Sequence, residues 1–180
     1  HATLSGECQI KNTATILCAI DEMIKKGFSI STTNIDNGFK NVCELTGLQG
    51  RWQKISDKPT VICDTGHNVA GIEYIVRQLN RQSAKQLHIV MGMVNDKDVN
   101  KVLSLLPRTA RYYFTKASVK RALDEQDLAA QAAGHGLSGS TYPDVPSAFK
   151  AAMEHAEEDD LIFVGGSTFI VADFMAFQRQ

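Results

Sequence analysis

The run Thr60-Val61-Ile62-Cys63-Asp64-Thr65-Gly66-His67-Asn68 joins a short β-rich apolar stretch to a polar turn. Directly after it, Ile72, Ile75, Val76 and Leu79 recur at i, i+3, i+4 and i+7. That spacing is the single stripe of a helix packed on a sheet face. Strand, tight turn and helix open a βα unit, and the unit recurs downstream. Residues 87–91, 112–115 and 161–164 read as strands, separated by helical stretches 69–82, 98–106, 121–133 and 144–157. Alternation of this kind predicts an α/β fold, a Rossmann-like mostly parallel sheet flanked by helices.

Upstream the texture differs. Ile16, Leu17, Ile20, Met23 and Ile24 follow helical spacing within 12–26, and Gly27 stands where a stop belongs. Thr32 or Thr33 is placed to cap a second helix carrying Ile35, Phe39 and Val42, which ends before the Gly47–Gly50 loop. Trp52–Ser56 reads as extended. The chain therefore divides into a helical stretch, 1–46, and an α/β domain, 47–180. Its first residue is His1 rather than Met, which is expected of a sequence beginning inside a longer protein.

Composition excludes several classes. With 43% hydrophobic and 22% charged residues over 180 positions, the chain is an ordinary globular protein. Nineteen Lys and Arg against 20 Asp and Glu give a formal net charge of -1. No positive excess remains to release counterions from a phosphate backbone, so nucleic acid is not expected as a partner. Cys8, Cys18, Cys43 and Cys63 stand apart with no Cys-x-x-Cys pair, which predicts reduced thiols and a cytoplasmic location. No apolar run reaches the roughly 18–20 residues needed to span a bilayer, so no membrane association is expected.

In an open parallel sheet, ligands lie beyond the carboxyl ends of the strands. Four such ends are polar or glycine-rich. Asp64-Thr65-Gly66-His67-Asn68 crowds a carboxylate, an imidazole and an amide into one turn, groups suited to ribose hydroxyls and phosphates, although Asp64 and Asn68 also suit simple capping of the next helix. Gly92-Met93-Val94-Asn95-Asp96-Lys97-Asp98 offers Lys97 as a point charge and Asp98 as a cap. Lys116, Lys120 and Arg121 make a short basic loop, expected to be solvated. Gly165-Gly166-Ser167-Thr168 puts glycines before a helix N-terminus, where a carboxylate could sit. The acidic run Glu157-Glu158-Asp159-Asp160 is expected only to solvate a turn. Neither Gly-x-x-x-x-Gly-Lys-Ser/Thr nor Gly-x-Gly-x-x-Gly occurs, and no Cys or His cluster has metal-ligand spacing.

The ordered set Gln9-Ile10-Lys11-Asn12, Gly50-Arg51-Trp52, Asp64-Thr65-Gly66-His67-Asn68, Asp96-Lys97-Asp98, Arg121-Ala122 and Gly165-Gly166-Ser167 resembles the folylpolyglutamate synthase/dihydrofolate synthase family of the Mur ligase superfamily. The resemblance implies that residues 1–46 end a central ATPase domain and that 47–180 form the C-terminal domain. It further implies an ATP- and magnesium-dependent ligase that joins L-glutamate to folate or dihydropteroate through an acyl phosphate, and a monomer in the full-length protein. Carried over by position, Asn12 would contact adenine, Arg51 the phosphates and Asp64 the ribose. His67 and Asn68 would line the same cleft, His67 on the substrate side as well, and Lys97 and Ser167 would hold the glutamate carboxylates. The family has Ala before the histidine, Pro after the asparagine and His before the glutamine, where this chain has Gly66, Val69 and Cys8. Its phosphate loop and magnesium ligands lie upstream of the resembling stretch, so this chain by itself is expected not to turn over. Two alternatives stand beside this reading: another Mur-type amino-acid ligase, and a non-catalytic Rossmann-like binding module.

Overall fold

The computed structural model of the chain describes residues 8–95 and 98–179. Among these residues six strands and seven helices follow in the order α1 (Cys8–Lys25), α2 (Thr32–Thr46), β1 (Gln53–Asp57), β2 (Thr60–Asp64), α3 (Val69–Leu79), β3 (Leu87–Met91), α4 (Val99–Leu105), β4 (Arg111–Phe114), α5 (Glu125–Ala133), β5 (Gly139–Thr141), α6 (Val145–His155), β6 (Leu161–Gly165) and α7 (Thr168–Phe177). The sheet order is β1-β2-β6-β3-β4-β5, with β1 antiparallel to β2 and every other pairing parallel.

Helices cover both faces, so the inner strands are apolar on both sides and read as continuous runs. Alternate residues then serve two cores. Ile62, Ile89, Met91, Tyr112, Phe114, Leu161 and Phe163 face the core closed by α3, α4 and α5. Val61, Cys63, Val90, Tyr113, Ile162 and Val164 face the core closed by α6 and α7. The predicted α3 stripe is observed, with Ile72, Ile75 and Leu79 buried and Val76 packed against them. Each fully buried aliphatic side chain of this kind contributes about 1.5–3 kcal/mol.

Several boundaries differ from the sequence reading. Ser31, not Thr32 or Thr33, caps α2 through a reciprocal pairing with Asn34. The helix expected over 121–133 begins at Glu125. Before it, a turn ties Ala122 N–H to the Val119 carbonyl, Leu123 N–H donates to the Met93 carbonyl at 2.8 Å, and Asp124 caps the helix. The exposed edge strand β5 was not anticipated, because Gly139-Ser140-Thr141 carries no apolar alternation.

The order of connection fixes the functional edge. Helices leaving β2, β3 and β4 cover one face, whereas those leaving β5 and β6 cover the other. Strand β6 lies between β2 and β3, so on both its flanks neighbouring chains leave the carboxyl edge toward opposite faces. Crevices open at such switch points. Gly92 allows β3 and β6 to close there: a Cβ at this position would lie 2.4 Å from Ile170 Cδ1 and 2.5 Å from the Thr115 carbonyl oxygen. Gly92→Ala is expected to destabilise the chain by about 1–3 kcal/mol through this overpacking, read as a lower urea midpoint with an unchanged m-value.

Candidate functional site

Asp64 ends β2 at the crevice and is 8% exposed. Its Oδ2 accepts the Trp52 N–H at 2.6 Å and its Oδ1 the Gly66 N–H at 2.7 Å. Burial pushes the carboxyl upward from its ordinary value, against the two N–H donors and the positive charge of Arg51. The carboxylate therefore clamps two segments: the turn that leads into α3 and the linker that precedes β1. A second bond, Thr65 N–H to the Gly50 carbonyl at 2.9 Å, fastens the same linker. Between these anchors Gly50 has φ +72° and Trp52 φ +49°, both left-handed. A Cβ on Gly50 would fall 2.7 Å from Val171 and 2.9 Å from Thr65, so the linker lies flush on the sheet edge. Arg51, held between the anchors, is exposed.

His67 and Asn68 sit at the start of α3, both exposed. Asn68 caps the helix, its Oδ1 accepting the Gly71 N–H at 2.8 Å, which leaves its Nδ2 free of that bond as a donor. His67 Nδ1 lies 3.1 Å from the Thr65 carbonyl. A carbonyl can only accept, so Nδ1 carries the proton and a neutral ring presents Nε2 as an acceptor.

Ser167, 2% exposed, caps α7 by accepting the Ile170 N–H at 3.2 Å. Its hydroxyl proton remains available for donation. Lys97 and Asp96 lie outside the described residues. The stretch before them is fastened by Asn95 N–H to the Arg121 carbonyl at 3.1 Å and by the Val94–Ala122 bridge. Asp98 occupies the N-cap position of α4 but makes no capping bond; instead it pairs with Lys101 at 3.3 Å. Asn12 is exposed on α1, where its Nδ2 donates to Gln9 at 3.2 Å. Among the described residues, no recorded bond joins Asn12 to the crevice.

The basic loop is more structured than expected. Lys116 pairs with Glu125 at 2.8 Å and Asp124 at 3.1 Å, and the Arg121 guanidinium lies 4.8 Å from the Phe169 ring centroid. The glycines at the ends of β3 and β6 are needed by the fold itself: a Cβ on Gly165 would lie 2.8 Å from the Asp64 carbonyl oxygen, and one on Gly166 2.7 Å from the Gly92 carbonyl oxygen. Sequence reasoning gave no role to Thr65, inside the first candidate turn, or to Thr115, read as the end of a strand. Their hydroxyls are buried at the carboxyl ends of β2 and β4 without a hydrogen-bond partner among the described residues, an uncommon state for a buried polar group. Their position at the carboxyl end of an apolar run was the available signal.

Among the described residues no three Asp, Glu, His or Cys side chains converge on a point that could hold a metal ion. No described helix is long and apolar enough to cross a membrane. Cys18, Cys43 and Cys63 carry free thiols, and burial pushes that of Cys63 up to about 12.

A doubly wound, mostly parallel sheet flanked by helices, with an arginine-bearing linker clamped to its carboxyl edge, defines a Rossmann-like α/β domain. The chain belongs to the Mur ligase family: the model described as "Mur ligase, glutamate ligase domain" matches residues 50–168. A probable bifunctional folylpolyglutamate synthase/dihydropteroate synthase of Haloferax volcanii is 30% identical over 171 residues, covering 94% of this chain and 20% of that protein. The dihydrofolate synthase/folylpolyglutamate synthase of Escherichia coli is 30% identical over 166 residues, covering 91% of this chain and 37% of its own length. A solved structure of E. coli FolC in complex with DHPP and ADP superposes with a TM-score of 0.75 at 27% identity, covering 89% of this chain and 37% of that one. The chain thus spans well under half the length of these relatives.

Proposed function

We propose that this chain is the C-terminal part of an ATP-dependent ligase that adds L-glutamate to folate or dihydropteroate. The observation that carries the reading is the Asp64 clamp, which fastens the linker bearing Arg51 to the turn that leads into His67 and Asn68. Residues 1–46 then end the preceding ATP-binding domain and 47–180 form the glutamate ligase domain. The start of the family match at residue 50 supports this division, as do the exposed Ile10, Ile16, Leu17, Met23 and Ile24 on α1.

In this reading a substrate carboxylate takes the terminal phosphoryl group of ATP. The amine of glutamate then attacks the acyl carbon, the C–N bond forms, and phosphate departs with the oxygen it shared. Magnesium would screen the phosphate oxygens, and none of its ligands is assigned to this chain. Arg51 supplies a planar fork to the phosphates. Asp64 accepts from ribose hydroxyls with the lone pairs left by its two N–H bonds, while His67 Nε2 and Asn68 Nδ2 line the same wall and Asn12 faces adenine. Ser167 donates its hydroxyl proton to a glutamate carboxylate, and Lys97 adds charge. Separate domains bring the remaining groups, so one domain alone carries only part of the affinity and no turnover.

Calorimetric titration tests this division of labour. Weak binding of ATP and of L-glutamate is expected. Arg51→Ala should weaken ATP by about ten-fold, equivalent to 1.4 kcal/mol, and leave glutamate unchanged. Lys97→Ala and Ser167→Ala should abolish glutamate binding only. Because Ser167→Ala also removes a helix cap worth about 1 kcal/mol, it is titrated well below its unfolding temperature. Glutamate binding unaffected by either substitution sinks the amino-acid seat, and preference for another amino acid would move the reading to a different Mur-type ligase.

A further inference from the structure

The edge of the sheet opposite the crevice holds a second basin, of about 880 Å³, formed where β3, β4 and β5 begin. Its charges do not balance. The two carboxylates that line it are engaged: Glu157 pairs with Lys85, and Asp160 accepts from the N–H groups of Gln86 and Glu157 and from His88. Arg108 and Arg111 line the same basin, are exposed, and have no carboxylate partner among the described residues. Three cations, Lys85, Arg108 and Arg111, against the carboxylates Glu157 and Asp160 leave the lining with an excess of one positive charge, carried by two guanidinium groups that no carboxylate pairs, in a chain of formal net charge -1.

Each arginine has one neighbour beside the basin. Arg108 follows the α4 turn and its stem packs at Gly136, where a Cβ would stand 3.5 Å from Arg108 Cδ. Arg111 opens β4, with its guanidinium 5.8 Å from the Tyr113 ring centroid. Across the basin the exposed Ser138 and Ser140 carry hydroxyls with no recorded partner among the described residues. Guanidinium forks match pairs of oxygens on one acid group, and hydroxyls complete the shell of such an anion.

We propose that this basin binds a small multivalent oxyanion of the phosphate or polycarboxylate class, gripped by Arg108 and Arg111 and bordered by Ser138 and Ser140. The site lies at the amino ends of the strands, away from the crevice, and stands independently of the ligase reading.

The 180-residue chain is titrated at low ionic strength with inorganic pyrophosphate and, separately, with tricarballylate, following amide shifts by ¹⁵N NMR. Saturable shifts at Gly136, Gly139 and Ser140 are expected. Arg108→Gln and Arg111→Gln should each weaken binding by about five-fold, and the double substitution by more than about twenty-fold. Arg111→Lys should recover only part of the affinity, because it keeps the charge and loses the fork. Tighter binding of pyrophosphate assigns the phosphate class, and tighter binding of tricarballylate the carboxylate class. Absence of saturable shifts with both anions overturns the proposal. So does binding that survives the double substitution, or shifts confined to residues 64–68 and 165–167.

Discussion

Asp64→Ala is expected to lower stability by about 2–5 kcal/mol and to release the linker from the sheet. The substitution removes the acceptor of the half-buried N–H groups of Trp52 and Gly66, and a donor left without a partner inside the fold costs about 1–3 kcal/mol. Trp52 is the single tryptophan and lies 6.3 Å from the Phe163 ring, so its fluorescence reports linker docking separately from the global transition seen by circular dichroism. A red-shifted emission in the folded variant, together with a lower urea midpoint, is the predicted pair of results. Asp64→Asn keeps one acceptor oxygen and should lie about midway. An unchanged emission and midpoint in Asp64→Ala would show that the linker is held by something else.

Asp160→Ala should be comparably severe, at about 3–5 kcal/mol, because it strands three donors at once. Asp160 is 5% exposed and accepts from Glu157 N–H at 2.8 Å, Gln86 N–H at 3.0 Å and His88 Nε2 at 3.3 Å. On the other side of the ring, His88 Nδ1 lies 2.9 Å from the Tyr113 hydroxyl. Burial pushes that phenol up to about 12, so the hydroxyl donates, and the neutral imidazole is satisfied at both nitrogens. Burial holds His88 below its ordinary 6.5 despite the Asp160 carboxylate. Asp160 is pushed up by burial but held below its ordinary 3.8 by the Glu157 N–H, the His88 ring and the Gln86 N–H.

Both shifts act in the same direction on stability. Below pH 6.5 the unfolded histidine binds a proton before the folded one, and near pH 3.8 the unfolded carboxylate does the same, so stability falls as pH falls. Urea midpoints should decline from pH 7 to 5 and more steeply below 4. His88→Gln should flatten the first decline and Asp160→Asn the second. A His88→Gln profile that parallels the unsubstituted chain would contradict this account.

The sheet and α3 were legible because the inner strands, buried on both sides, read as short continuous apolar runs, whereas α3 repeats its apolar residues every three to four positions. The four candidate loops were legible as polar residues directly after apolar runs. What the sequence could not carry was pairing across distance. That Asp64 would be taken up by Trp52 N–H, twelve residues earlier, depends on the left-handed turn at 50–52. Likewise Glu157-Glu158-Asp159-Asp160 looked like a uniform solvated run, yet Asp160 is a buried acceptor for groups 72 and 74 residues away. Strand β5 escaped because edge pairing with β4 asks little of its side chains. Gly66 is a choice the sequence left unexplained: a Cβ there would meet Ile75 Cδ1 at 2.6 Å, the far end of a side chain that can yield, and Asp64 Oδ1 at 3.1 Å.

The most direct test of the central claim is a ¹⁵N NMR titration of the chain with ATP and then L-glutamate. The account predicts ATP-dependent shifts at Arg51, Gly66, His67 and Asn68, followed by glutamate-dependent shifts at Gly166, Ser167 and Lys97. Saturable ATP-dependent shifts that bypass residues 51–68 would contradict it.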